Sequence, residues 1–354
     1  MSTRLLLCAC AAAVAAACAS KPPLLHPGAK PPLFEAGADV DPRLPRAEPG
    51  DDFDRALLDD LVAEAEAKKS DALVVVSHGA IVVERNFANP KAAPLQVGSI
   101  TKSVVSLAFG MLIADGKLKD VDVPMFTWYP EWSEGPRAQI TLRHVLTHTS
   151  GLAHNKSVRN GLAQQQDRVR LARSASLVTP PGQVFAFNST ATQLLSGVIE
   201  QVAGESADVY LGARVFAPLG IENVSWGKDF ANNLDAFGGL VISARDLAVL
   251  GQMMLQSGRW NGKQLVPEAW VKQSTSPEIT DPPYGFLWWV RATKSGRAFG
   301  YYANGYLGQW LVVYPDRQLV AVRLFKGTRR DEEEDRQFGW NEFPVMLERA
   351  ALVK

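Results

Sequence analysis

The sequence predicts an α/β domain: one antiparallel sheet assembled from both ends of the chain, flanked by helices, with an inserted helical region at about 117–235. Three observations predict it. β-branched runs cluster near residue 75 and again beyond residue 285, and the stretch between them reads as loops and helices. The chain of 354 residues, 47% hydrophobic, also has enough apolar material for one large core or two fused smaller ones.

The elements follow in order. Asp51-Asp52-Phe53-Asp54 opens a helical stretch running to Lys69. Ala72–Val76 and Ala80–Arg85, separated by Ser77-His78-Gly79, read as a hairpin. A long apolar helix runs from Ser99 to about Ala114 and stops at Asp115-Gly116. The insert carries helical segments at Thr141–Thr147, Thr190–Val202 and Ser206–Phe216, and Ala244–Gln256 is a further helix. Gly285–Arg291, Arg297–Ala303, Gln309–Tyr314 and Gln318–Phe325 read as successive strands, and a closing helix covers roughly Asn341–Leu352.

Ahead of the domain, Arg4 is followed by an apolar run from Leu5 to Cys18, too short to span a bilayer and suited to the core of a signal peptide. It ends in Ala15-Ala16-Ala17-Cys18, which resembles the lipobox of bacterial lipoproteins. The expectation is a leader at 1–18, lipidation at Cys18 and a Pro-rich tether at 19–50, with the domain occupying 51–354. That places the protein in the bacterial cell envelope, lipid-anchored at the outer membrane and facing the periplasm. A soluble periplasmic or secreted form is the alternative. All three cysteines, Cys8, Cys10 and Cys18, lie in the leader, so the remaining chain has no disulfide and no thiol nucleophile. Lys plus Arg and Asp plus Glu both total 37, and a net charge of zero gives nucleic acid no basic surface to hold.

The first chemical constellation is Ser99-Ile100-Thr101-Lys102. A serine hydroxyl is a poor nucleophile at neutral pH and needs a base beside it. Three residues along a helix, Lys102 returns to the face of Ser99, and burial in an apolar helix lowers an amine's affinity for its proton. The pattern is weak alone, because Ser225-Trp226-Gly227-Lys228 satisfies it too. His144 and His148 sit four apart, but no glutamate lies between them and no third ligand is evident, so no metal is expected. His78 and His154 are expected at the surface. No G-x-S-x-G, P-loop or G-x-G-x-x-G is present, and no cofactor is implied.

Longer stretches are more specific. Val97–Ser103, Asp115–Leu118, Ile140–Leu152, Pro181–Phe185, Ala217–Ile221 and Gly239–Leu247 together resemble the class C β-lactamase-related superfamily of penicillin-binding proteins, family VIII esterases and aminohexanoate-dimer hydrolases. The resemblance covers about 55–350. Phe187–Leu195 and Gly305–Trp310 are similar to the aminohexanoate-dimer hydrolase branch. It implies the β-lactamase/transpeptidase-like fold, Ser99 as nucleophile, Lys102 as its base, and an oxyanion hole from the backbone amides of Ser99 and Tyr306. Phe187, Asn188, Ser189, Asn304 and Gly305 are the implied substrate-binding positions. Two departures stand out. The lysine that β-lactamases carry before the equivalent strand is missing at Ala303-Asn304-Gly305, and Phe187 stands where the family has a tyrosine that moves protons.

The expected function is an exported serine hydrolase of a small ester first, a short linear amide second and a β-lactam third. A weak or inactive binding protein of the same fold is the competing reading, favoured by Phe187. Tyr301, Tyr302 and Tyr306 are candidates to replace the missing hydroxyl. The aromatic group Tyr284, Phe286, Trp288 and Trp289 alternates in part as a strand would and is expected to pack in the core; the alternative puts Tyr284 and Trp288 on the face bordering the site, favouring an apolar acyl group.

Overall fold

The computed structural model describes residues 31–34, 41–88, 92–154, 167–327 and 338–351. The leader and Cys18 lie outside them.

The first helix, α1 (Arg55–Ala67), starts where Asp54 accepts hydrogen bonds from the amides of Ala56 and Leu57, satisfying two donors the helix cannot. Its buried Leu58, Leu61, Val62 and Ala65 recur at helical spacing. They face β1 (Ala72–Ser77) and β2 (Ala80–Arg85), the expected hairpin. β1 pairs antiparallel with the last strand, placing Ala72 opposite Leu324 and Ser77 opposite Leu319. Both ends of the chain thus build one sheet.

The shorter strands are β3 (Leu95–Gln96), β4 (Ser225–Trp226), β5 (Leu240–Ile242), β6 (Arg259–Trp260) and β7 (Lys263–Gln264). Then follow β8 (Ile279–Thr280), β9 (Pro283–Tyr284), β10 (Trp289–Ala292), β11 (Ala298–Gly305), β12 (Gln309–Tyr314) and β13 (Leu319–Leu324). The main sheet has eight strands in the order β2-β1-β13-β12-β11-β10-β9-β8. All six residues of β1, β12 and β13 are buried, because helices cover both faces. On one face lie α1 and α9 (Phe343–Ala350), in a core with Leu73, Val75, Val312 and Ala321. On the other, α2 (Ile100–Ala114) and α7 (Ala244–Leu255) share a core with Val74, Leu311, Val313 and Val320. Each such leucine or valine removed from water contributes roughly 2 kcal/mol.

The insert holds α3 (Leu142–Leu146), α4 (Arg168–Arg173), α5 (Ser189–Ala203) and α6 (Ala207–Leu211), and α8 (Glu268–Ser274) follows α7. α4 and α8 were not anticipated; at six and seven residues they are too short for a periodicity to register.

Two expectations need correcting. Part of the tether at 19–50 is packed structure: Leu33 O accepts from Glu84 N, Pro45 O from Ile81 N, and Leu33 and Leu44 are buried. Proline is tolerated there because this segment runs along the edge of β2. The strand expected at Gly285–Arg291 begins only at Trp289. Leu287 has φ of 62° and donates its amide to Leu146 O, which breaks the alternation. Trp288 therefore turns into the core against Tyr301, and Trp289, not Trp288, borders the cleft.

Candidate active site

Ser99 sits at the N-terminal cap of α2 and makes no capping bond with its side chain, so its hydroxyl is not spent on the helix. The turn before it is tight. Gly98 has φ of 54°, and a Cβ there would stand 2.9 Å from the backbone nitrogen of Tyr306. A Cβ on Gly305 would come within 2.2 Å of Val97 O. Both positions need glycine because the end of β11 crosses directly over the turn that carries Ser99. This contact brings the Tyr306 backbone beside Ser99.

Lys102 Nζ lies 2.8 Å from Ser99 Oγ and donates to Phe237 O at 2.9 Å. The lysine is 1% exposed. Burial pushes its pKa down from 10.5 to about 7, and the charge of Asp235 opposes that shift. The nitrogen stands 4.8 Å from the centre of the Phe187 ring and 5.6 Å from that of Phe237. A half-neutral amine at hydrogen-bond distance from a hydroxyl can take its proton at neutral pH.

Phe187 is thus beside Lys102, as the sequence register requires, and supplies no hydroxyl. Its ring stacks on Trp289 at 5.9 Å and tilts against His148 at 4.6 Å. Of the candidate replacements, Tyr301 is buried against Trp288, Tyr302 stacks on Trp289, and Tyr306 borders the cleft.

The cleft is about 920 Å³ and is bordered by Ser99, Phe187, Ser189, Asn304, Gly305 and Tyr306, by Trp289 of the aromatic group, and by three residues the sequence did not single out: Phe237, Asp235 and Arg168. Asn304 keeps its side-chain amide on Gln309 O at 3.3 Å. Asn188 does not border the cleft. It is 1% exposed and caps α5, accepting from Ala191 N at 3.0 Å and donating to Leu152 O at 2.8 Å. The substrate-binding expectation for Asn188 is therefore corrected: its amide is consumed by the helix end and the neighbouring loop. No single-sequence signal marked Asp235 or Phe237, which reach the site through the β3–β5 pairing. There Val97 donates to Leu240 O, and Thr101 Oγ1 accepts from Leu240 N.

The histidines serve other ends. His144 Nδ1 accepts from Thr141 N and closes a capping box. His148 Nδ1 accepts from Asn188 N, and burial holds its pKa well below the usual range. His154, expected only as a surface residue, is exposed and borders the cleft, 3.4 Å from Asn188 Oδ1. Among the described residues no group of three or more His, Cys, Asp or Glu side chains could hold a metal ion.

The chain is similar in sequence and in fold to known proteins. The 6-aminohexanoate-dimer hydrolase of Paenarthrobacter ureafaciens is 26% identical over 306 residues, covering 75% of each chain. Esterase EstB of Burkholderia gladioli is 29% identical over 199 residues, 48% of this chain and 49% of EstB, so the chain spans about half of EstB's length. Among solved structures, a Bacillus anthracis protein named as a candidate 6-aminohexanoate-dimer hydrolase superposes with a TM-score of 0.71 at 22% identity, covering 88% of this chain and 89% of that one. The octameric penicillin-binding protein homologue from Pyrococcus abyssi gives 0.65 at 20% identity, covering 82% and 79%. Both share the β-lactamase/transpeptidase-like fold. The Beta-lactamase family model matches residues 58–341, most of the chain. With its antiparallel sheet joined from both termini and a serine opening the buried helix, this chain belongs to the beta-lactamase family of serine hydrolases, whose named relatives here include an esterase and a 6-aminohexanoate-dimer hydrolase.

Proposed function

We propose that the protein hydrolyses a small carboxylic ester, with a short linear amide as second choice, through an acyl-enzyme on Ser99 activated by Lys102. The observation that carries this reading is the 2.8 Å approach of a buried Lys102 amine, whose pKa that burial lowers to about 7, to a Ser99 hydroxyl that makes no capping bond to its helix. Ser99 Oγ attacks the carbonyl carbon while Lys102 Nζ takes its proton. The oxyanion forms beside the amides of Ser99 and Tyr306. The carbonyl re-forms and the alcohol leaves with the proton from Lys102. Water then attacks the acyl-enzyme with Lys102 again as base, the Ser99 Oγ–acyl bond breaks, Ser99 regains its proton from Lys102, and the carboxylic acid departs. Phe187, Trp289 and Phe237 give the cleft an aromatic wall suited to an apolar acyl group. The lysine of β-lactamases has no counterpart at Ala303-Asn304-Gly305, which supports esters over β-lactams.

The decisive experiment is reaction with a fluorophosphonate serine probe and with short-chain p-nitrophenyl esters. Labelling and turnover that disappear in Ser99→Ala establish the nucleophile. A folded protein that neither labels nor turns over is a binding protein of the same fold, the reading that Phe187 favours. On location, the leader motif supports export and lipidation at Cys18. Incorporation of labelled palmitate that persists in Cys18→Ala would refute it.

A further inference from the structure

Asp235 borders the cleft as a carboxylate to which the acyl-transfer scheme gives no task. Both of its oxygens are committed. Oδ1 accepts from the amides of Phe237 at 3.1 Å and Gly238 at 2.9 Å, and Oδ2 faces Arg168 Nη1 at 3.0 Å. Its own backbone is fixed as well: N donates to Gly227 O at 2.9 Å, and O accepts from Trp226 Nε1 at 2.8 Å.

The Gly238 N–H and the Phe237 C=O belong to one planar trans peptide and point in opposite directions. Gripping the N–H therefore aims the carbonyl, and that carbonyl is the second partner of Lys102 Nζ, at 2.9 Å. A neutral amine has two N–H bonds and one lone pair. Donating one N–H to a fixed carbonyl stops rotation about Cε–Nζ and leaves the lone pair free to face Ser99 Oγ. Once Lys102 has taken the serine proton, a nearby carboxylate also favours the ammonium.

Among the described residues, the charged and titratable groups around Lys102 are few. Asp235 comes from the segment before β5, Arg168 from α4, His148 from the turn after α3, and His154 from just beyond that turn. His148 Nδ1 accepts a hydrogen bond from Asn188 N, and burial holds its pKa well below the usual range, which favours the uncharged ring.

We propose that Asp235 is the positioning residue of Lys102: its grip on the Gly238 amide turns the Phe237 carbonyl onto Nζ, and its charge, moderated by Arg168, tunes how readily that nitrogen keeps a proton. Its catalytic consequence rests on the Ser99–Lys102 reading above. The test is therefore split. The titration of Lys102 is followed in the full chain by NMR of ε-13C-labelled lysine, assigned with Lys102→Arg, in wild type, Asp235→Asn, Asp235→Ala and Arg168→Gln. Fluorophosphonate labelling rates are measured beside it. Asp235→Asn keeps an oxygen for the turn but loses the charge, and it should lower the Lys102 midpoint by about one unit. Arg168→Gln should raise it. Asp235→Ala loses the turn as well and should slow Ser99 labelling about tenfold or more, well beyond Asp235→Asn at high pH. A Lys102 midpoint unmoved in folded Asp235→Asn and Asp235→Ala overturns the proposal. A midpoint that moves in a protein never labelled at Ser99 supports Asp235 as Lys102's partner and refutes the nucleophile instead.

Discussion

The chain contains the same four-residue pattern twice, and the two copies differ in everything that matters chemically. Ser99-Ile100-Thr101-Lys102 opens a helix whose residues 100–112 are all buried. Its lysine meets a hydroxyl, a carbonyl and two aromatic rings. Ser225-Trp226-Gly227-Lys228 begins in a two-residue strand with Ser225 exposed. Its lysine pairs with Asp208 at 2.9 Å in a partly solvated place. A lysine becomes a base near pH 7 only where water is withheld and no carboxylate closes on it. The spacing supplies the approach, while the surroundings supply the chemistry.

The sharpest way to break this comparison is to remove each serine. Ser99→Ala should abolish fluorophosphonate labelling and lower ester turnover by about 10⁴-fold or more, while Ser225→Ala should behave as wild type. Equal loss in both would end the distinction. Removing the lysines comes next. Lys102→Met should reduce kcat by about 10²–10⁴-fold with the fold intact, and Lys228→Met should not. A third variant restores what this copy lacks. Phe187→Tyr puts a hydroxyl beside Lys102 and should raise turnover by up to about 10²-fold. Unchanged turnover in a protein that still labels would mean that Lys102 works alone.

The fourth prediction concerns pH. In the proposed mechanism Lys102 acts in its neutral form, so kcat/KM should rise with pH through a midpoint near 7. Stability follows the same group. Its folded pKa is depressed to about 7, and the unfolded value is near 10.4. Between these the unfolded chain holds a proton that the folded chain does not, so the native state gains stability as pH rises through that window. Lys102→Met lacks this dependence, and its thermal advantage over wild type should be greatest below pH 7 and narrow toward pH 10. A gap that is constant with pH would refute a buried, proton-shedding lysine. The smallest effect belongs to the second copy: Lys228→Ala should cost less than about 1 kcal/mol, because the Lys228–Asp208 pair is partly solvated.

The hairpin, the helix from Ser99 and the strands of the C-terminal half were legible because each carries a period that burial enforces locally. Reading failed where a long-range contact overrode that period. Leu287 bonds across to Leu146, and the aromatic facing the cleft became Trp289 instead of Trp288. The prolines between 19 and 50 suggested a tether, yet in the described positions that segment runs along β2. In the site, Ser99 and Lys102 could be put forward from sequence because they sit on one helix face, and Phe187 because its motif is contiguous. Asn188 was misassigned, since nothing local reveals that its amide is used to start α5.

The sequence by itself determined the nucleophile candidate, its amine three residues away, the absent hydroxyl at Phe187 and a sheet drawn from both ends of the chain. Each is a matter of residue identity at short spacing. Only the tertiary structure decided that Lys102 is dry, that the Phe237 carbonyl and Asp235 attend it, and that the end of β11 lies against the Gly98 turn. A proton's affinity for an amine depends on the water and charges around it in space, and those are brought together by pairings more than a hundred residues apart.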